Sequence, residues 1–233
     1  YALGLVGFPL ASLAPALLGL PVSGPGLDLI DATYSYGFGR LEGKLPPNTF
    51  GGYPNDFYTS GYNAGYGSWG LASSKYRTQG ILSYQFLIEN DQSGPYSWWE
   101  SSTAPSPDSP WTGEHPATGQ GSSPHAWGMA NANKVLLDSL AVQTAGGALI
   151  VGRGVPDDWV APGQSISVTN FPTLNGGHID LHLTGGDQEV TLSLSGQAAG
   201  TEPVDFELPL FVNNIASTSA GTVDEATGTV QFP

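Results

Sequence analysis

Apolar residues along this chain follow two different rhythms, and the change falls at Gly146-Gly147. Upstream of it, Tyr62, Tyr66, Trp69, Ser73, Tyr76, Gly80, Tyr84 and Leu87 recur at spacings of three and four. That is one stripe of a long helix, expected from about Gly61 to Glu89. The stripe is aromatic and small rather than leucine-rich, which suits a helix packed closely against others. A second helix is expected to open at Ser123-Pro124, where serine can cap the orphan amides and proline can take the first helical position. It should run through Met129, Ala130, Leu136, Leu137 and Leu140 and stop before Gly146-Gly147. Leu3 to Leu20 reads as one or two short buried helices broken by proline, while Asp28 to Gly52 carries too many glycines to assign.

Downstream, apolar and polar residues alternate. Strands are expected at 148–152, 165–170, 178–183, 190–195, 206–212 and 227–232. In the third of these Ile179, Leu181 and Leu183 share one face, and in the fourth Val190, Leu192 and Leu194 repeat the pattern. Thr184-Gly185-Gly186-Asp187 between them reads as a hairpin turn needing positive φ. The fold class expected is therefore α plus β in two domains, helical over 1–146 and an antiparallel β-sandwich over 147–233.

Composition narrows the field. Glycine contributes 33 residues and proline 19, more than a fifth of the chain, and charged residues only 11%, against roughly 25% in an average soluble domain. Such a chain is rich in loops. It is not a disordered one, because 6 Trp, 10 Tyr and 9 Phe are too much apolar surface to leave in water. Six Lys plus Arg against twenty Asp plus Glu give a net charge of −14, which repels a nucleic-acid backbone. Cysteine is absent, so neither disulfides nor thiolate metal sites arise. The apolar stretch from Ala2 to Leu20 is interrupted by Gly4, Gly7, Pro9, Pro15 and Gly19, so it is no membrane span, and it lacks the basic leader of a signal peptide. An acidic, lysine-poor, cysteine-free composition accords with a secreted or extracellular bacterial protein.

Candidate chemistry concentrates between Tyr96 and Trp127. This stretch holds Trp98, Trp99, Trp111 and Trp127, His115 and His125, and the carboxylates Glu100 and Glu114. A connection this long between two helices usually serves a function. Aromatic rings beside carboxylates are what a sugar site requires: flat apolar faces to stack on pyranose C–H surfaces, acids to bond hydroxyls, and one acid for proton transfer. The competing explanation is that these tryptophans plug the gap between the helical and β domains.

A helix, a Trp-Glu loop, a Thr-Gly and Gly-Ser-rich run into Pro124-His125-Ala126-Trp127-Gly128, and then an antiparallel β domain, together resemble the end of a six-hairpin (α/α)6-barrel glycosidase. The processing α-glucosidase, trehalase and α-L-rhamnosidase families share that layout. Glu100 in Trp98-Trp99-Glu100 resembles the rhamnosidase general base, and Glu114 in Glu114-His115-Pro116-Ala117-Thr118-Gly119 resembles the glucosidase one; the Glu-to-Pro spacing is shorter than usual at Glu114, which favours Glu100. The resemblance covers about residues 60 to 145 and implies mostly inverting hydrolysis of a neutral oligo- or polysaccharide. It also implies Trp98, Trp99, Trp111 and Trp127 as sugar platforms, with His125, Tyr62 and Tyr66 as further substrate contacts. Residues 1–146 have room for fewer helices than a full barrel, so the general acid is expected on a larger N-terminal portion or partner chain. No cofactor is expected.

Other residues carry weaker readings. Asp56 is the best local substitute for an acid, although an Asp just before a helix is more often a cap. His125 could bond a sugar hydroxyl, orient Glu100, or be satisfied by backbone. His178, Asp180 and His182 share a strand face at metal-ligand spacing, but alternation alone puts polar residues there, so no metal is assigned. Asp157-Asp158 looks like a calcium pair or, better, a surface turn. No phosphate loop, dinucleotide fingerprint or nucleophile elbow occurs. The rival function is a non-catalytic carbohydrate-binding or adhesive module. A phosphorylase or an acidic-polysaccharide lyase would need more cations than Arg40, Lys44, Lys75, Arg77, Lys134 and Arg153 supply.

Overall fold

A computed structural model of the chain describes residues 60–90, 92–102 and 119–233, together with Asp28, Asp31, Ala32, Ser35 and Phe38. The expectations for Leu3 to Leu20 and for Asp56 lie outside these residues. The fold is α plus β, and among the described residues it divides into two compact units, one ending at Asp138 and one running from Ser139 to Pro233.

The first unit is built on α1 (Ser60–Ala72), α2 (Arg77–Asn90) and α3 (Ala126–Leu140). The single long helix expected from the apolar stripe is two helices. Ser73 adopts an extended conformation with φ −110° and ψ 123°, and a 3-10 turn at Ser74–Tyr76 follows it. Serines compete for the backbone through their own hydroxyls, and two in succession at 73 and 74 make this the weakest link of the stripe. In α2 the stripe residues Gly80, Tyr84 and Leu87 are buried, as is Tyr76 in the preceding turn, while in α1 the buried side chains include Ala64 and Leu71, which the stripe omits.

Glycine is what lets the arms fold back on each other. A Cβ on Gly70 would lie 2.7 Å from Gly80 Cα, and one on Gly80 would lie 2.5 Å from the Leu71 backbone nitrogen. The two backbones therefore touch directly. Gly67 likewise faces Ser83, so residue numbers fall along α1 as they rise along α2, and the pair is antiparallel. The turn between them is held from outside by Asp31, whose carboxylate pairs with Lys75 Nζ at 2.8 Å and pushes the lysine pKa up to about 12. Phe38 packs on the buried Tyr76 ring at 5.1 Å.

The third helix lies beside the first. The Trp127 ring sits against Gly61, and Val135 Cγ2 would stand 3.0 Å from a Cβ on Gly67, so numbers rise together and α1 and α3 are parallel. Asn131 Nδ2 donates to the Gly61 carbonyl at 3.4 Å. The antiparallel α2 makes the return, so its end and the starts of α1 and α3 meet at one end of the unit. Lys134 and the buried Asp138 form an i,i+4 ion pair on α3.

In the second unit, β5 (Ala141–Gln143), β6 (Leu149–Val151), β10 (Val204–Glu207), β11 (Thr222–Asp224) and β12 (Thr229–Phe232) form a five-stranded sheet in the order β11-β12-β10-β6-β5. A three-stranded antiparallel sheet contains β7 (Ser165–Pro172), β8 (His178–Gly185) and β9 (Val190–Ser195). Both sheets feed one core: Leu149, Val151, Val204, Phe206 and Val230 from the first, Phe171, Ile179, Leu181 and Leu183 from the second. The expected alternation in β8 is present, with Ile179, Leu181 and Leu183 buried and His178, Asp180 and His182 exposed.

Three details differ from the sequence reading. The five-stranded sheet is not wholly antiparallel, because β6 and β10 pair in parallel, Leu149 opposite Val204 and Val151 opposite Phe206. The whole three-stranded sheet lies between these two strands in sequence, and it serves as the long crossover that parallel pairing needs. The glycines after Thr184 do not form a positive-φ turn. Gly185 is the last residue of β8, where the absence of Cβ lets the carbonyl of Val160 approach, and the turn closes one step later through Gly186 N–H to Glu189 O at 2.8 Å. Finally, α3 stops at Leu140 and passes directly into β5, although the apolar run Leu140-Ala141-Val142 continues the helical rhythm.

The glycine contact in the helical hairpin gives a sharp expectation. Gly→Ala inside a helix ordinarily stabilises by about 1 kcal/mol. Gly80→Ala should instead destabilise by about 1–3 kcal/mol, because the new methyl meets backbone rather than a movable side chain. Urea unfolding of the variant measures this, and an unchanged or raised midpoint would refute the contact.

Candidate functional site

The site region begins where α2 ends. The last carbonyls of a helix have no internal partners, and here the following chain supplies them. Gln92 Nε2 donates to the Ile88 carbonyl at 3.0 Å, and the Trp98 indole N–H donates to the Leu87 carbonyl at 2.9 Å. These two residues face each other across a small hairpin of β1 (Gln92–Gly94) and β2 (Ser97–Trp98). Trp98 is 3% exposed, so its ring offers no face to a ligand and acts as a bolt. The hairpin is tied further by Ser93, whose hydroxyl bonds Ser97 Oγ at 3.0 Å and receives Ser123 Oγ at 2.6 Å.

After the bolt come Trp99 and Glu100. The Trp99 carbonyl accepts from Ser60 Oγ at 3.0 Å, and its half-buried indole lies where a Cβ on Gly119 would be. Glu100 donates its N–H to the Ser122 carbonyl at 3.0 Å, while its own Oε2 accepts from the Ser122 N–H at 3.4 Å. Its carboxylate folds over Gly121, which has φ 78° and whose Cβ would stand 2.5 Å from Oε2. The chain then forms β3 (Ser101–Ser102) and β4 (Gly119–Gln120), an antiparallel pair with Ser102 opposite Gly119. Glu100, just before β3, is exposed to solvent.

The His125 residue makes two bonds to backbone groups. Its N–H donates to the Trp98 carbonyl at 3.1 Å, and its Nδ1 accepts from the Gly128 N–H at 3.2 Å. It is thus the capping residue of α3, the backbone-satisfied alternative among its three readings. The helix begins at Ala126, two residues later than a serine cap at Ser123 would place it. Trp127 follows, half-buried, edge-on to His125 at 5.8 Å and packed against Gly61.

The structure therefore brings Trp99, His125 and Trp127 together around Ser60 and Gly61, the first residues of α1, with Glu100 next to Trp99 in sequence and set against Gly121 and Ser122. Trp98 belongs to the same hairpin but is buried behind it. Tyr62 and Tyr66 lie on the backbone of α1. Trp111, Glu114 and His115 lie outside the described residues. What the sequence reading passed over is the role of Gly119, Gly121 and Ser60. The Thr-Gly and Gly-Ser run was the available signal, because closely spaced glycines beside large side chains mark places where backbone and ring must meet.

In the β unit, the exposed polar face of β8 is engaged in local bonds. Asp180 Oδ1 accepts from the Asn170 N–H at 2.6 Å, at the bulge of β7, and His182 Nδ1 bonds Ser167 Oγ at 2.7 Å. Among the described residues no group of three His, Cys, Asp or Glu could hold a metal ion. Asp157 and Asp158 open a 3-10 helix at Asp157–Val160 and are exposed. A small dimple of about 10 Å³, room for a single water, is lined by Gln143, Thr173, Ile179, Leu194, Ala198 and Glu202, among others. Among the described residues, the buried Thr173 hydroxyl has no hydrogen-bond partner.

No protein-family model, curated protein or solved structure matches this chain. Among the described residues no helix is long and apolar enough to cross a membrane.

The cap assignment for His125 is testable by stability. His125→Ala should cost about 1 kcal/mol and His125→Asn, which keeps an acceptor at the same position, much less. Thermal melts of both variants measure the difference, and equal stabilities would remove the cap.

Proposed function

We propose that this chain forms part of an inverting glycoside hydrolase acting on a neutral oligo- or polysaccharide, with Glu100 as the general base. One observation supports the reading: the exposed Glu100, its N–H bonded to the Ser122 carbonyl, directly follows Trp99, whose carbonyl accepts from Ser60 at the start of α1, while the partly buried Trp127 ring packs on Gly61 beside it. In that chemistry the carboxylate removes a proton from water as the oxygen attacks the anomeric carbon. On the opposite face a carboxylic acid protonates the departing glycosidic oxygen as the C–O bond breaks. The two carboxyl groups then stand roughly 6.5–9.5 Å apart. Glu114, between β3 and β4 in sequence, is the alternative base. A larger N-terminal portion or partner chain is the source of the donor.

The helix arrangement supports an (α/α) toroid. An antiparallel helical pair followed by a helix parallel to its first member is the repeating step of such a ring, and the glycine contacts of α1 favour the close packing that the ring needs. A secreted enzyme is in keeping with the acidic, lysine-poor composition.

A second reading is a non-catalytic carbohydrate-binding or adhesive module, which the same partly exposed indoles of Trp99 and Trp127 would serve without chemistry. The two diverge on one variant. Glu100→Gln in the protein that carries this chain should lower kcat by about 10²–10⁴-fold while oligosaccharide binding persists. Hydrolysis at the wild-type rate would remove Glu100 from catalysis, and binding without any hydrolysis by the wild type would favour the module.

A further inference from the structure

We propose that Asn175 is a site of spontaneous covalent modification, deamidation through a cyclic imide, and that the Glu202 carboxylate is the latch that sets its rate. Asn175-Gly176 is the one Asn-Gly pair in the sequence. In this chemistry the backbone nitrogen of the following residue attacks the asparagine side chain, and a Cβ on that residue crowds the approach; glycine has none. Both residues are exposed in the turn between β7 and β8, and a Cβ on Gly176 would meet nothing within 4 Å. Gly176 N gives up its proton to solvent and bonds to Asn175 Cγ, while the Cγ–Nδ2 bond breaks and the nitrogen leaves, protonated, as ammonia. Water then opens the ring at either carbonyl, leaving aspartate or isoaspartate. One water is consumed, one ammonia is released, and nothing is oxidised or reduced.

Two bonds oppose the reaction while the turn is closed. The attacking nitrogen is engaged, because the Gly176 N–H donates to the Thr173 carbonyl at 3.0 Å. The leaving nitrogen is engaged too, because Asn175 Nδ2 donates to Glu202 Oε1. Glu202 is half-buried, and its other oxygen lies over Gly147, where a Cβ would stand 2.9 Å from Oε2. Gln143 fastens the same two turns, accepting the Leu174 N–H at 2.7 Å and donating to the Gly147 carbonyl at 2.7 Å. Cyclisation therefore requires local opening of the 173–177 turn. Afterwards an aspartate at 175 faces Glu202 with like charge, and an isoaspartate lengthens the main chain of the turn, so the original closure is not regained. Asn170, Asn213 and Asn214 are built-in controls: all are exposed, but Phe171, Asn214 and Ile215 follow them and set a side chain beside each attacking nitrogen.

The experiment holds the wild type, Glu202→Ala and Glu202→Gln in mildly alkaline buffer, follows each asparagine by peptide mass mapping, and reads isoaspartate by enzymatic methyl transfer. In the wild type Asn175 should convert ahead of Asn170, Asn213 and Asn214. Glu202→Ala should convert about 10-fold faster at Asn175 and no faster at the other three, since a bond to a charged acceptor has been removed. Glu202→Gln, which keeps an acceptor oxygen, should fall between. Asn175→Asp, which installs one product, should lower Tm by about 2–4 °C, and Glu202→Gln added to it should restore most of the loss. Conversion of another of these asparagines ahead of Asn175 overturns the site, and equal Asn175 rates in the wild type and Glu202→Ala overturn the latch. Acceleration shared by all four also overturns the latch, since loosening of the whole unit would then set the rate. Should Glu202→Ala melt below the incubation temperature, Glu202→Gln decides, and a rate no higher than that of the wild type overturns the latch.

Discussion

The bond from the Trp98 indole to the Leu87 carbonyl is the constraint on which the candidate site depends. It closes an orphan acceptor at the end of α2 and at the same time fixes where the next strand begins. From there the main chain does the positioning. The Trp98 carbonyl receives the His125 N–H, the Trp99 carbonyl receives Ser60 Oγ, and the Glu100 N–H reaches Ser122. Three successive residues are thus tied to the starts of α3 and α1 and to the strand that returns from the loop. Because each tie uses backbone on at least one side, the arrangement is set by the path of the chain rather than by the identity of most side chains.

The same economy governs the helices. Gly67, Gly70 and Gly80 remove side chains at the points where α1 meets α2 and α3, which brings backbone against backbone. Glycine inside a helix costs conformational entropy, and the compensation is close approach. A chain with few leucines in its helical stripe has few other ways to bury helix surface, which is why the glycines and the aromatic rings occur together there. The β unit solves its packing differently, with alternating aliphatic residues from two sheets meeting in one core.

Much of the β unit was legible because alternation has a single physical cause, one face buried and one wet. The strands β7, β8 and β9 follow the expected ranges closely. Short elements were not legible. Ala141–Gln143 carries the apolar continuation of a helix, and Thr222–Asp224 is a polar edge with no pattern to read. The parallel pairing of β6 with β10 is a property of topology, which local residues do not encode. In the helical unit, periodicity located the buried face of α2 but could not see the break at Ser73, since a hairpin of two helices and one long helix share the same spacing. For the site, composition singled out Trp98, Trp99, Glu100, His125 and Trp127 correctly as neighbours, but could not sort them. Whether an indole is a platform or a bolt depends on the carbonyl it meets, and whether a histidine is a ligand or a cap depends on the amide three residues on.

That sorting changes how Glu100 should be understood. Of the chain's six cations, Lys75 and Lys134 are occupied by Asp31 and Asp138. A carboxylate locked to an arginine or lysine has its lone pairs directed at the cation. Glu100 is held instead by its own backbone and by one long bond from the Ser122 N–H, with a positive-φ glycine leaving room beneath it. The carboxylate therefore lies over Gly121, exposed to solvent and touched by one weak backbone bond, and a side chain at Gly121, besides straining a φ of 78°, would displace it without touching its charge.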